Sequence, residues 1–216
     1  MRKSNSFLLI LPLLFITCEN ETASETNTDQ KKEMTTIHQT TGETLPLNTD
    51  GSINAIIEIS AGSVEKWEMN KTTGKIERDS IHGEPRTIHY LGYPGNYGMI
   101  PSTFLPQTEG GDGDPLDVLV LGPPVKRGTV VKAHLLGVLQ LLDNGEQDDK
   151  LIAISDASSL QADLSLDAFA ASYPGALEII ETWFLNYKGP GQMESSGFAD
   201  RGAAESILAK SIDNYK

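Results

Sequence analysis

The chain has 216 residues, 38% of them hydrophobic, which is enough for one sizeable core and short for two. Its formal charge of −13, from 30 acidic and 17 basic residues, leaves no broad basic face and argues against nucleic acid as a partner; cations, or small anions reached through them, fit better. A single cysteine, Cys18, excludes an intrachain disulfide framework and a CxxC metal site.

Met1-Arg2-Lys3 followed by the apolar run from Phe7 to Ile16 is too short to span a bilayer and reads as a secretory signal peptide over residues 1–17. The run ends in Phe15-Ile16-Thr17-Cys18, which resembles the lipobox of bacterial lipoproteins. That resemblance implies lipidation of Cys18 and an exported protein anchored on the periplasmic or outer face of a bacterial membrane. Without lipidation the alternative is a soluble periplasmic protein, and a chance Cys after an ordinary signal or an uncleaved anchor remain open. From Glu19 to about Gly42 large apolar residues are nearly absent, so residues 18–44 are expected to form a disordered tether. The folded domain is expected to run over 45–216, and no other segment is suited to cross a membrane.

Within that domain, Ile53–Ile59 reads as a strand with one acid, Glu58, inside it. Val64–Met69 alternates, with Trp67 and Met69 on one face and Lys66 and Glu68 on the other. A turn at 70–74 returns the chain as Lys75–Asp79, a hairpin. By themselves Lys66, Glu68 and Arg78 make an ordinary solvated strand face. Residues 80–108 are dense in Gly, Pro and Tyr and are expected to be a loop with ordered turns; His82 and His89 lack partners at metal spacing there.

The stretch from Gly110 to Leu121 places Asp112, Asp114 and Asp117 within six residues, then runs into a buried strand. Like charges this close repel, so the cluster costs stability unless solvent or a cation compensates; a solvated acidic turn and a hard divalent metal site both fit the loop alone. Gly128–Leu142 is a long β run whose central Gly137 permits a bulge or barrel bend. A second acidic loop, Asp143–Lys150, precedes the strand Leu151–Ile154, and the two loops can converge on one metal cluster beside the cation of Lys150. A helix is expected over Ala176–Lys188 with Pro174 in its first turn and Leu177, Ile180 and Phe184 on one stripe. A second runs from an Asp200 cap to about Asn214, with Ala204, Ile207 and Leu208 facing the core. Many strands followed by two helices imply an α+β fold built on a small closed barrel.

Asp112-Gly113-Asp114-Pro115-Leu116-Asp117-Val118 resembles the signature D-[SGDN]-D-[PE]-[LIVMF]-D-[LIVMGAC] of the family I soluble inorganic pyrophosphatases. Ile57-Glu58-Ile59, Lys66-Trp67-Glu68, Tyr93-Pro94-Gly95-Asn96-Tyr97-Gly98, the Asp143…Asp148…Lys150 spacing and Tyr187-Lys188 match in order, so the resemblance covers about residues 45–215. It implies an OB-like closed antiparallel barrel with flanking helices, and Mg²⁺-dependent hydrolysis of pyrophosphate to two phosphates by a metal-activated water. On that resemblance Asp112, Asp117, Asp143 and Asp148 hold Mg²⁺, Asp117 bridging two ions, and Glu58 and Glu68 serve further metal positions. Asp114 accepts the proton of the attacking water, and Tyr93 hydrogen-bonds near the acids. Lys66, Arg78, Tyr97, Lys150, Tyr187 and Lys188 contact phosphate oxygens, with Arg86 the alternative to Arg78 because the interval to the tyrosine motif is long. A homo-oligomer is left open. Two rivals exist: a non-catalytic phosphate- or cation-binding lipoprotein on the same scaffold, and a calcium loop, which would require Gly in place of Asp117 and Glu in place of Pro123.

Overall fold

The computed structural model describes residues 44–216; the leader, Cys18 and all but the last residue of the tether lie outside the described residues. In chain order, β1 (Ile53–Ile59) is followed by two short hairpins, β2 (Trp67–Asn70) with β3 (Lys75–Arg78) and β4 (Ser80–Ile81) with β5 (Glu84–Pro85). Then come β6 (Asn96–Met99), β7 (Asp117–Leu121), β8 (Val130–Asp143), β9 (Glu146–Gln147) and β10 (Lys150–Ser155). Helices α1 (Leu166–Ser172) and α2 (Ala176–Asn186), strand β11 (Met193–Asp200) and helix α3 (Arg201–Tyr215) complete the chain.

Strands pair in the order β1-β6-β7-β10-β8, and β8 returns to β1, which closes a five-stranded barrel with β11 added along the far part of β8. The α+β class and the closed sheet therefore stand as expected. One pairing departs from a purely antiparallel barrel: β7 and β10 run parallel, Val118 opposite Leu151 through Leu121 opposite Ile154. The physical cause is β10's tight return from β8, which sets its direction before its other edge meets β7.

Because β7 and β10 are covered on both sides, they read as unbroken apolar runs rather than alternating ones. Val118, Val120, Leu151 and Ala153 join one core with Ala204 and Leu208 of α3, while Leu119, Leu121, Ile152 and Ile154 join another with Phe169 of α1 and Ile180, Trp183 and Phe184 of α2. The expected bulge lies beside Gly137: Ile152 pairs with Gly137 and Ala153 with Leu135, leaving Leu136 as the extra residue. A side chain at 137 would also meet the Ala199 carbonyl oxygen of β11 at 2.4 Å, so glycine is what lets three strands meet there.

The segment 80–108, expected to be loop, contains β4, β5 and the fully buried β6. Its Gly98 lowers strand propensity but is required by close approach, since a Cβ would lie 2.0 Å from the Ile56 carbonyl oxygen. The two C-terminal helices form, α3 capped as expected by Asp200 Oδ1 accepting from the Ala203 amide. Pro174 is not in the first turn of α2; it joins α2 to the short α1, which Ser165 caps. Strand β11 is rich in Gly and Ser and carries no strong strand signal; β8 recruits it by offering an open edge.

Candidate active site

The parallel register of β7 and β10 brings their first residues, Asp117 and Lys150, side by side. Lys150 is 2% exposed and donates to Asp117 Oδ2 at 2.5 Å and to Asp148 Oδ1 at 2.6 Å. Asp112, Asp117 and Asp148 each offer a carboxylate oxygen, and these oxygens lie within 4.8 Å of one another. The two acidic loops thus converge. The first is held by its own backbone: Asp112 Oδ1 accepts from the Asp114 amide at 2.9 Å, the Leu105 carbonyl from the Gly113 amide, and the buried Thr103 hydroxyl from the Leu116 amide. This turn leads into a strand, not between two helices, which removes the calcium-loop reading.

Glu58 reaches the same place through a bulge. Ile57 pairs with Gly98 and Ile59 with Tyr97, so Glu58 is the unpaired residue of β1 and leaves the ladder. It is 5% exposed, and its Oε1 accepts from the Met69 amide at 2.6 Å. Burial, then the charge of Asp117, pushes its carboxyl up to about 8. Burial would also raise Asp117, but Lys150, Lys66 and a hydrogen bond from Tyr97 hold it below the usual carboxylate range. Asp112 and Asp148 are both raised, chiefly by burial, with Asp117 adding to each. Lys150 stays charged because Asp117 and Asp148 outweigh its desolvation.

Hairpin β2–β3 and residues 86–88 after β5 form an arm over a cleft of about 790 Å³ that is lined by Glu58, Lys66, Glu68, Asp112, Asp114 and Asp117. Cross-strand partners share a face, so the pairs Trp67–Arg78 and Glu65–Thr87 define the outer side of the arm. Lys66, Glu68 and Arg86 take the inner side. Lys66 Nζ lies 3.7 Å from Glu68 Oε2 and 5.5 Å from the Tyr97 ring centre. Arg78 turns outward, its NH1 2.9 Å from Glu65 Oε1, whereas the charge of Arg86, paired with Asp79, reaches Tyr93. From the arm's tip Lys71 pairs with Asp114. That contact had no sequence signal, because only the hairpin's reach across the cleft creates it.

Below the acids, Tyr93, Tyr97, Trp183, Phe184 and Tyr187 pack as one aromatic group, Tyr187 stacked on Trp183 at 4.7 Å. Burial raises the phenols of Tyr93, Tyr97 and Tyr187, so they remain hydroxyl donors at neutral pH. Lys188 bonds Asp143 and sits close enough to Asp148 to feel its charge. Asp143 and Glu68 lie outside the tight group of three acids. His82 and His89 are exposed.

The donor set fits a hard cation. Three carboxylates against the one ammonium of Lys150 leave a formal excess of two negative charges (−3 + 1 = −2), presented through oxygen atoms alone. Acids raised by burial require positive charge to ionise fully, and an added divalent ion supplies it.

A barrel with acids and lysines gathered at its strand ends defines a phosphate-handling, metal-binding class of site. The inorganic pyrophosphatase family model matches residues 55–216. An inorganic pyrophosphatase of Campylobacter jejuni is 34% identical over 168 residues, which cover 76% of this chain and 92% of the relative. Among solved structures, type I inorganic pyrophosphatase from P. falciparum superposes with a TM-score of 0.72 at 29% identity, covering 80% of this chain and 61% of that one. A truncated Trypanosoma cruzi vacuolar soluble pyrophosphatase in complex with PPi gives 0.71 at 27% identity, over 80% and 71%. The chain belongs to the inorganic pyrophosphatase family, and is an enzyme of the inorganic diphosphatase class.

Proposed function

We propose that the protein hydrolyses inorganic pyrophosphate to two phosphates with Mg²⁺ as its cofactor. The convergence of Asp112, Asp117 and Asp148 with Lys150 at one cleft carries this reading, and one similar solved structure holds PPi. Asp112, Asp117 and Asp148 hold the metal, with Asp143, Glu58 and Glu68 as further positions around it. Divalent ions bound there lower the pKa of a water and neutralise substrate charge.

Asp114, at the cleft mouth, accepts the proton of the attacking water. Lys66, Tyr97, Lys150, Tyr187 and Lys188 bind phosphate oxygens, and Tyr93 supports the acids through its packing on Tyr97. For the arginine, the arm's two faces favour Arg86 over Arg78, which is occupied on the outer side. Phosphoryl transfer spreads charge over the transferred oxygens, so fixed cations and positioning supply most of the acceleration.

The leader's composition and the Cys18 motif support export with a lipid anchor, the tether 18–44 separating membrane from enzyme. Among the described residues no helix is long and apolar enough to cross a membrane.

Phosphate release from pyrophosphate tests the activity: rapid with Mg²⁺, abolished by EDTA, and about 100-fold slower or more in Asp114→Asn. A folded protein with no Mg²⁺-dependent release overturns it. Cys18→Ala is expected to move the protein out of the membrane fraction, and unchanged association refutes the anchor.

A further inference from the structure

We propose that Arg127 is a positioning residue for the substrate-binding arm, acting through Trp67 and Glu65 on the face turned away from the cleft. The inference rests on the pyrophosphatase reading above. The arm's β2–β3 sheet has no strand pairing with the barrel, yet Lys66 and Glu68 line the cleft with the acids, and Arg86 shares their face of the arm. Backbone bonds hold the arm only at its base, the Gly62 amide to the Tyr93 carbonyl and the Tyr93 amide to the Ser63 carbonyl, so side-chain contacts set the height of the part beyond it. On the inner side, Glu58 accepting from the Met69 amide is one such tie.

The outer tie is larger. Arg127 belongs to the turn before β8, and that turn is bonded to β1 by the Gly128 amide to the Ile57 carbonyl at 2.7 Å and the Ile57 amide to the Thr129 carbonyl at 3.0 Å. Its guanidinium carbon lies 3.3 Å from the Trp67 ring centre, and Arg78 approaches the same ring at 5.5 Å. The Glu65 carboxylate joins the group, accepting from Trp67 Nε1 at 3.0 Å and lying 2.9 Å from Arg78 and 3.7 Å from Arg127. Arg78 Nε then donates to the Arg86 carbonyl at 3.2 Å. The result is a continuous connection from the barrel to the backbone of the inner-face residues. Trp67 stands between Lys66 and Glu68 in sequence, and Arg78 holds the main chain of Arg86.

A planar guanidinium can stack on the indole and reach Glu65 at once; an ammonium cannot do both. Loss of Arg127 frees the arm without touching the metal-binding acids or Asp114. Weaker substrate binding with preserved chemistry follows.

The test is steady-state kinetics of the full chain at saturating Mg²⁺, with thermal unfolding alongside. Arg127→Ala is expected to raise KM for pyrophosphate about fivefold, the scale of one lost cation–π contact, with kcat within about twofold and Tm unchanged. Arg127→Lys is expected to restore less than half of the loss. An active parent and an Arg127→Ala variant with the same KM overturn the inference alone, as does a fall in kcat that tracks a lower Tm. A parent that releases no phosphate overturns the activity and this inference together.

Discussion

The two acidic loops look alike in sequence, carboxylates around a glycine at a strand end, but they are neutralised differently. The second is paired inside the fold: Asp148 accepts from Lys150 two residues on, and Asp143 from Lys188 just beyond α2. In the first, Asp112 receives one backbone amide, and Asp114 is met by Lys71 from the far side of the cleft. One loop anchors charge within the fold, and the other presents it to the cleft. Asp117 and Lys150 are where they meet, and the excess negative charge lies toward Asp112.

Breaking the internal pairing of the second loop has the largest expected effect on stability. Lys150→Met leaves Asp117 and Asp148 facing each other with no buried cation between them, and is expected to cost about 3–5 kcal/mol in urea unfolding with EDTA present. Added Mg²⁺ should recover part of that loss by binding the folded state. If the variant is as stable as the parent without metal, Lys150 does not hold the two loops together.

Of comparable size over its whole range is a pH effect at Glu58. The folded protein keeps this proton up to about pH 8, whereas an unperturbed glutamic acid loses it near 4.5. Stability from this group is therefore full below 4.5 and declines as pH rises toward 8, by up to about 1.4 kcal/mol per pH unit in metal-free protein. Glu58→Gln should flatten that decline by close to one proton's worth, and an unchanged slope would contradict the burial of an uncompensated acid there. Smallest is Lys188→Ala. Its pair with Asp143 is partly solvated, and the expected cost is about 1 kcal/mol or less. A cost equal to that of Lys150→Met would erase the contrast between deep and shallow pairs.

Much of this was legible in the residues because charge and apolarity segregate cleanly. The run from Asp117 to Leu121 reads as strand since both faces are buried, and Asp200 reads as a cap since its oxygen satisfies a free helix amide. Strand β6 was not legible, because Pro, Gly and Tyr resemble a loop unless the adjacent strand that demands Gly98 is known. The split between Arg78 and Arg86 was equally hidden. Both are arginines flanking the same hairpin, and only cross-strand register sends one outward and sets the other on the face of Lys66.

The sequence by itself determined the chemistry available: oxygen ligands in two loops, cations spaced to oppose an anion, and enough apolar strand to hold both. Periodicity and charge are local properties and survive being read one residue at a time. Tertiary structure decided the geometry. The parallel register of β7 and β10 sets Lys150 against Asp117, the bulge turns Glu58 out of its ladder, and the arm brings Lys66 and Arg86 to one face. Each depends on pairing between segments far apart in the chain, which no local pattern specifies.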